Sequence, residues 1–540
     1  MLRVRYRSGM RVLITDPIAD AGIERLRQAG HEIETVYHLS PAGLEEAVAD
    51  AHALVVRSGT AVTETVVAAA SELVIVGRAG VGVDNINIDA ATDHGVIVAN
   101  APEGNVRAAA EHTVGMIFAT ARSIPQASGR LKMGEWAKGE FLGTELNDKT
   151  LGVVGLGRVG QEVTKRLCAL GMDAIAFDPY ISEERAAQVG AELVGDLGSC
   201  LDDADVATVH TPLTDETANM IGADELARLD GGYLINCARG GIVDEAALAA
   251  AVAEGGLEGA AVDVFADEPV AADNPLLTVD DVIVTPHLGA STAAAQESVA
   301  VSTAEHVLAA LNGDPVANAL NAPSIDESAV PALRPYIGLA ETAGTVAVQL
   351  FDGQIGRVEI TYAGAIADED TELVTASALT GVFSPLEAEV STVNAREVAA
   401  SRGAEVTESK TRQTENFQSL VTVTVGDTEA ETSVCGTLYA EDDPRIVRID
   451  RYRVDAVPYG HMLVTRNRDE PGVIGFIASE LGRAEVNIAG MFNGRETIGG
   501  EALSVYTLDD AVPDALRATL EDDGRIIETT HITLEEPTGR

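Results

Sequence analysis

Residues 151–160 read Leu-Gly-Val-Val-Gly-Leu-Gly-Arg-Val-Gly, an apolar run closing on Gly-x-Gly-x-x-Gly, and Asp178 closes the next apolar run. Thr150 to Val154 predicts a buried strand, Gly160 to Leu170 a helix, and Asp173 to Phe177 a second strand. Strand, glycine turn, helix, strand and an acid about 20 residues on are the wiring of a dinucleotide site. Gly155 permits a tight turn, and Gly157 lets the backbone approach a pyrophosphate. Gly160 lets the helix sit close to its strand, free N–H groups toward the anion. Arg158 and Val159 complete the cofactor-facing loop. A carboxylate at Asp178 accepts from both ribose hydroxyls and repels a 2′-phosphate, which favours NAD over NADP. The chain has 52 glycines, so the spacing alone is weak; the flanking elements carry the reading.

Upstream, from Arg11 to about Asn100, short apolar runs alternate with helical stretches, which predicts a parallel α/β unit. Ligands of such sheets bind beyond the carboxyl ends of the strands, where Arg57, Arg78 and Asn100 fall. Downstream, the α/β pattern runs to about His287, and Ser291 to Leu311 predicts one Ala-rich helix. Breakers at 312–315 and 321–323 end this portion. Residues 325–455 mix a helix (Leu333 to Leu350) with alternation such as Gln418 to Val425, which predicts an α+β unit. From Met462 on, the order is strand, helix, strand, strand, helix, strand, a ferredoxin-like βαββαβ pattern.

At 540 residues the chain is long enough for three or four domains. Its 85 acidic and 37 basic residues leave a net charge of -48, which repels nucleic acid and anionic membranes. Only five of the basic residues are lysines. Such self-repulsion is relieved at about 1 M salt, where the screening length is roughly 3 Å, so a salt-rich, halophilic setting is expected. No apolar run is long enough for a membrane span and no signal core opens the chain, so a cytoplasmic protein is expected. Four separated cysteines, Cys168, Cys200, Cys237 and Cys435, form no Cys-x-x-Cys pair, so a reducing compartment and no metal site are expected. The basic start, Met1 to Gly9, precedes Met10 and reads as an extension from an upstream start codon.

The chain resembles the long-form D-3-phosphoglycerate dehydrogenase family, within the D-isomer-specific 2-hydroxyacid dehydrogenases. The resemblance rests on Val-Val-Arg-Ser at 55–58, Gly-Arg-Ala-Gly-Val-Gly-Val-Asp-Asn at 77–85 and Asn-Ala-Pro-Glu-Gly-Asn at 100–105. The glycine fingerprint follows, then Asn-Cys-Ala-Arg-Gly-Gly at 236–241, Asp-Val-Phe-Ala-Asp-Glu-Pro at 263–269 and Pro-His-Leu-Gly-Ala-Ser-Thr at 286–292. It implies a substrate domain (10–104 with 290–320), an NAD-binding Rossmann domain (105–289), an intervening domain (325–455) and a C-terminal ACT regulatory domain (459–540). The two parallel-sheet domains are Rossmann-like or flavodoxin-like.

Hydride leaves a hydroxyl-bearing carbon only if a base takes the hydroxyl proton. The resemblance puts His287 in that role, Glu268 behind it to hold the tautomer and stabilise the cation, and Arg239 on the substrate carboxylate. It places Thr211, Ala238, Asp263 and Gly289 on the cofactor side, with Asp263 near the nicotinamide carboxamide. Arg57, Arg78, Asn105 and Lys138 are its substrate contacts, although arginine is more usual where Lys138 stands. Asn467-Arg-Asp-Glu-Pro-Gly and Val-Asn-Ile at 486–488 resemble an ACT module, so Asn467, Asp469 and Asn487 are its effector residues and L-serine its implied effector. A dimerisation module without sensing explains the same motif.

The implied reaction converts 3-phosphoglycerate to 3-phosphohydroxypyruvate, the first step of L-serine biosynthesis, in a homo-oligomer that the family suggests is a homotetramer. The rivals are a glyoxylate or hydroxypyruvate reductase on the same scaffold, a non-enzymatic NAD-sensing scaffold, and, less favoured, a formate dehydrogenase.

Overall fold

The computed structural model describes residues 9–323, 329–387, 389–414, 416–440 and 443–534. Residues 1–8, 324–328 and 535–540 of the stretches discussed above lie outside the described residues.

Parallel strands covered on both faces are built mostly from buried runs of Val, Ile, Leu and Ala, and are more exposed at sheet edges such as Glu32–Thr35 and Ala191–Leu193. Five of them make one sheet in the order Glu32–Thr35, Arg11–Ile14, Ala53–Val56, Ile75–Arg78, Ile97–Asn100. In chain order that is 2-1-3-4-5, the flavodoxin-like arrangement. Seven more make a second parallel sheet in the order Val282–Val284, Gly259–Val262, Tyr233–Asn236, Val206–Val209, Thr150–Val154, Asp173–Phe177, Ala191–Leu193. Its first strand in sequence is interior, and the order reverses there, as in a Rossmann sheet.

Two long helices tie these sheets together. Val106–Ala121 leaves the first sheet and brings Met116, Ile117 and Ala121 into the core of the second, over the strands that carry Tyr233, Ile235 and Ala261. Ala293–Leu311, capped by the Thr292 hydroxyl accepting from Ala295 N–H, returns to the first sheet. There Ala304, Val307 and Leu311 pack on Val12, Ile14 and Val55. The crossings at 101–105 and 285–292 therefore lie side by side, and the carboxyl ends of both sheets face one cleft.

The remaining chain forms two sheet-and-helix units. The first pairs Glu405–Thr411, Arg357–Gly364, Ser419–Gly426, Glu431–Leu438, Pro444–Ile449 and Tyr452–Ala456 in that order, with the helix Val330–Leu350 on its face. The second has four antiparallel strands, Ile488–Arg495, Glu501–Leu508, His461–Arg468 and Ile526–Thr533, with helices Val473–Arg483 and Asp514–Glu521. Its spatial order, 2-3-1-4 within the unit, is ferredoxin-like. One face carries its own helices through Leu463, Tyr506, Ile477 and Leu520. The other face, Met462, Val464, Leu503, Val505 and Ile532, joins the core of the preceding unit, so the two share one apolar interior. No helix among the described residues is long and apolar enough to cross a membrane.

Candidate active site

Each of the three loop glycines meets a different constraint. Gly155 has φ +91°, and a β-carbon there would sit 2.9 Å from the His210 carbonyl. A β-carbon on Gly160 would run into the Gly155 carbonyl oxygen, so the helix Arg158–Ala169 lies against its strand only because position 160 has no side chain. Gly157, at the helix N-cap, has nothing within 4 Å of where its β-carbon would be. A side chain there would fill the space beside the helix N-terminus. Across the loop, Asp178 accepts from Leu156 N–H at 2.8 Å and from Tyr180 N–H at 2.9 Å. Each oxygen keeps a lone pair for a hydroxyl. The hydroxyl of Thr211 is buried beside the loop with no hydrogen-bond partner. An open glycine cradle at a helix N-terminus, a carboxylate at the second strand end and an orphaned hydroxyl fit a dinucleotide. Arg158 and Val159 begin the helix; Arg158 is paired at 3.7 Å with Glu103 from the crossing segment.

His287 and Glu268 come together: His287 Nδ1 lies 2.7 Å from Glu268 Oε2. An ionised carboxylate accepts only, so Nδ1 holds the proton and Nε2 presents its lone pair. Glu268 is itself anchored by Phe265 N–H, which donates to Oε1 at 3.1 Å. His287 adopts φ +53°, costly for a residue with a β-carbon. Asp263 supplies the restraint. Its carbonyl accepts from His287 N–H at 2.8 Å, and its fully buried carboxylate accepts from Leu288 N–H at 2.7 Å and Gly289 N–H at 2.8 Å. Thr285 Oγ1 at 2.5 Å and His112 Nε2 at 3.2 Å complete the set. Burial alone would raise the Asp263 pKa, but His112, Thr285 and Leu288 together hold it below the usual carboxylate range. Asp263 and Gly289, both expected on the cofactor side, are joined by the Gly289 N–H bond to the Asp263 carboxylate, and both shape the histidine turn.

Arg239 follows the strand Tyr233–Asn236, and its turn is set by Asn236, whose side-chain oxygen accepts from Ala238 N–H and whose amide donates to the Arg239 carbonyl. Arg239 Nη1 donates to the Ala238 carbonyl at 2.7 Å. A β-carbon on Gly82 would collide with the Arg239 guanidinium, so this glycine of the 77–85 motif makes room for a residue far along the chain. Arg239 Nε pairs with Asp84 at 3.5 Å. Arg78 lies in the same cluster. Burial first, then Arg239 and Arg57, push its pKa down to about 10, while Asp84 and Asp16 oppose them. Its Nε is buried without a partner. The Arg57 backbone N–H donates to Asp16 at 2.6 Å, and Asn85 donates to the Arg57 carbonyl at 2.7 Å. Asn105 caps the start of Val106–Ala121 without spending its side chain on the cap. Lys138 is exposed, on a stretch with Trp136, 81% exposed, and Leu142, 99% exposed.

Asp84, Asn85, Asp16, Asn236, Thr285, His112 and Glu103 are the participants that reading the sequence did not assign. Four of them, Asp84, Asn85, Glu103 and Asn236, stand inside motifs already quoted; Asp16, His112 and Thr285 carry no spacing signal because their partners are distant in sequence. Cys237 and Cys200 are pushed up to about 12, chiefly by burial, which suits inert thiols.

The three effector candidates are not brought together within one chain. Asn467 is buried and accepts from Ser504 Oγ, and Asp469 accepts from Arg495 at 2.8 Å and Gly499 N–H at 3.0 Å. Those bonds hold the Asp469 pKa below the usual carboxylate range, Gly499 first and Arg495 second. Asn487 donates to Asp509 at the other end of the sheet, since Ile488 pairs with Leu508 and Arg495 with Ala502. An eight-residue strand separates the two ends by roughly 25 Å.

Comparison with known proteins bears directly on this geometry. Residues 114–289 match the description "D-isomer specific 2-hydroxyacid dehydrogenase, NAD binding domain", and residues 332–450 match "D-3-phosphoglycerate dehydrogenase intervening domain". The D-3-phosphoglycerate dehydrogenase of Archaeoglobus fulgidus is 44% identical over 97% of this chain and 100% of its own length. The chain belongs to the D-3-phosphoglycerate dehydrogenase family. The enzyme of that name from Methanocaldococcus jannaschii is 42% identical, over 97% of this chain and 100% of its own. Among solved structures, the TT0316 protein of Thermus thermophilus is 32% identical with a TM-score of 0.54, covering 58% of this chain and 100% of that one. The family is an enzyme family and its cofactor is NAD. NAD, when bound, accepts a hydride from the carbon that carries the substrate hydroxyl.

Proposed function

We propose that this protein oxidises 3-phosphoglycerate to 3-phosphohydroxypyruvate with NAD, the first step of L-serine biosynthesis. The observation that carries the reading is end-to-end likeness, at 44% and 42% identity, to proteins named D-3-phosphoglycerate dehydrogenase. The site's chemistry agrees. His287 Nε2 takes the hydroxyl proton, Glu268 holds the imidazole and stabilises its cation, and Arg239 binds the carboxylate. Arg57 and Lys138 receive the phosphate, and Arg78 and Asn105 are further substrate contacts. A substrate with a carboxylate and a phosphate dianion needs such a cluster; glyoxylate and hydroxypyruvate, which lack the phosphate, do not.

The finer readings are proposals on the same footing. The chain divides at 10–104 with 290–320, 105–289, 325–455 and 459–540. The last unit acts as an ACT sensor for L-serine. A ligand touching both Asp469 and Asn487 takes them from two copies, in keeping with a homo-oligomer, for which the exposed Trp136, Leu142 and Met133 provide apolar contact area. The protein works in a salt-rich cytoplasm.

The test is NADH formation from 3-phosphoglycerate in molar KCl with hydrazine to trap the product, repeated with D-glycerate and with L-serine. Turnover of 3-phosphoglycerate but not glycerate is expected; equal turnover of both, or none, refutes the substrate. His287→Ala is expected to bind NAD and lose turnover. Inhibition by L-serine is expected, and its absence refutes the sensor.

A further inference from the structure

In the cleft, the guanidinium groups of Arg57 and Arg239 both lie close enough to Arg78 for their charges to act on it. Like charges so placed need counter-ions. Asp16 is committed to the backbone N–H groups of Arg57 and Thr60. Asp84 receives no hydrogen bond from its own loop among the described residues, and its carboxylate reaches across from the first parallel-sheet unit to Arg239 on the second, Nε to Oδ2, at 3.5 Å. Arg239 is the group that the proposed function assigns to the substrate carboxylate.

We propose that Asp84 is a built-in stand-in for the substrate carboxylate: it neutralises Arg239 before substrate binds and gives way when 3-phosphoglycerate arrives. The inference rests on the substrate reading above. Two features of the pair favour exchange over permanent structure. Arg239 is 27% and Asp84 60% exposed, so the pair is wet on the carboxylate side and weak by itself. Gly82, two residues before Asp84, leaves the space in which the guanidinium lies, so the same loop both makes room for Arg239 and pairs with it. Asp84 is a positioning residue. It lowers the free energy of the free enzyme by relieving repulsion among the arginines, and substrate must displace that interaction. Removing its charge therefore tightens binding instead of weakening it.

The test uses full-length protein saturated with NADH, so that no turnover occurs, titrated calorimetrically with 3-phosphoglycerate. Asp84→Asn is expected to lower Kd by about two- to five-fold at low salt, the range set by an exposed ion pair. The ratio should approach one in molar KCl, where screening replaces the counter-ion, and Asp84→Glu should restore wild-type affinity. A purely structural Asp84 predicts a weaker complex in both variants, with no salt dependence of the ratio; that result, or an unchanged Kd in Asp84→Asn, overturns the proposal. Asp84→Ser serves as a second variant, and failure of both neutral variants to fold also overturns it, because a displaceable exposed carboxylate is not needed for folding. A wild-type protein that neither binds nor oxidises 3-phosphoglycerate refutes the substrate reading instead.

Discussion

Substituting alanine at each of the three loop glycines separates what the fold needs from what the dinucleotide needs. At Gly157 the backbone is extended, φ -69°, and an added methyl meets nothing within 4 Å. Gly157→Ala should therefore melt within about 1 °C of wild type, since surface changes away from packed features move stability by only a few tenths of a kcal/mol. The methyl instead occupies the space through which a pyrophosphate reaches the helix N-terminus, lengthening or breaking one charge-assisted N–H bond of about 1.5–3 kcal/mol. That is a rise in the NAD dissociation constant of roughly 10- to 150-fold. At Gly160 the methyl meets the backbone carbonyl of Gly155, which no rotamer change relieves. The helix must back away from its strand, at a cost of about 1–3 kcal/mol, a fall in Tm of roughly 2–12 °C for a unit of this size. Gly155→Ala adds left-handed backbone strain at φ +91° to a 2.9 Å contact and should be the least stable of the three. Differential scanning calorimetry and equilibrium NAD titration read the two quantities independently. Wild-type NAD affinity in a normally folded Gly157→Ala protein would refute the assignment of the dinucleotide to this loop.

Glu268→Gln keeps the shape of the His287 contact but removes the charge that stabilises the imidazolium. The pair is 37–44% exposed. At about 4 Å and an effective dielectric near 20 the pair would be worth about 4 kcal/mol, and its exposure cuts that to roughly half, so kcat should fall about 30-fold with NAD affinity intact; a change below about three-fold rejects the pair as the proton-handling unit. Asp263→Asn puts an amide where four donors converge, leaving at least one buried N–H unpaired at about 1–3 kcal/mol. Both Tm and turnover should drop, and a stable, active variant would exclude it as the anchor of the histidine turn. Burial lowers the His210 pKa to about 4. The unfolded chain takes up that proton near 6.5, so between pH 6.5 and 4 it binds more protons than the folded form. Stability from this residue is complete above about pH 6.5 and is lost as pH falls toward about 4, by up to about 3 kcal/mol. His210→Asn should flatten the pH dependence of the denaturation midpoint, and parallel profiles would refute it. A melting series in KCl should show Tm rising steeply to molar salt, because 85 acidic residues face 37 basic ones; a flat series removes the salt-rich setting.

Much of the architecture was legible in advance because it is local. Gly155, Gly157 and Gly160 are spaced by one strand–turn–helix backbone. The helices expected at Ser291 to Leu311 and Leu333 to Leu350 appear as Ala293–Leu311 and Val330–Leu350. The alternation at Gln418 to Val425 appears as the strand Ser419–Gly426. Period and punctuation determine such elements before anything packs.

The amino-acid sequence by itself thus determined the four kinds of sheet unit, the dinucleotide loop, and the pairing of Glu268 with His287 that the structure shows. Tertiary structure alone decided what surrounds them. The Asp84–Arg239 pair joins loops from different sheets, and Gly82 yields space to a side chain 157 positions later. Asp263 is a scaffold because four donors, one of them on the helix Val106–Ala121, close around its carboxylate. Asn487 and Asp469 flank one helix in sequence yet lie at opposite ends of a sheet, because parallel strands joined by a helix start at the same end and the helix must run back the length of the strand. Sequence spacing reports contacts made within one turn or one strand; contacts between elements depend on how the sheets order their strands, and only the folded chain specifies that.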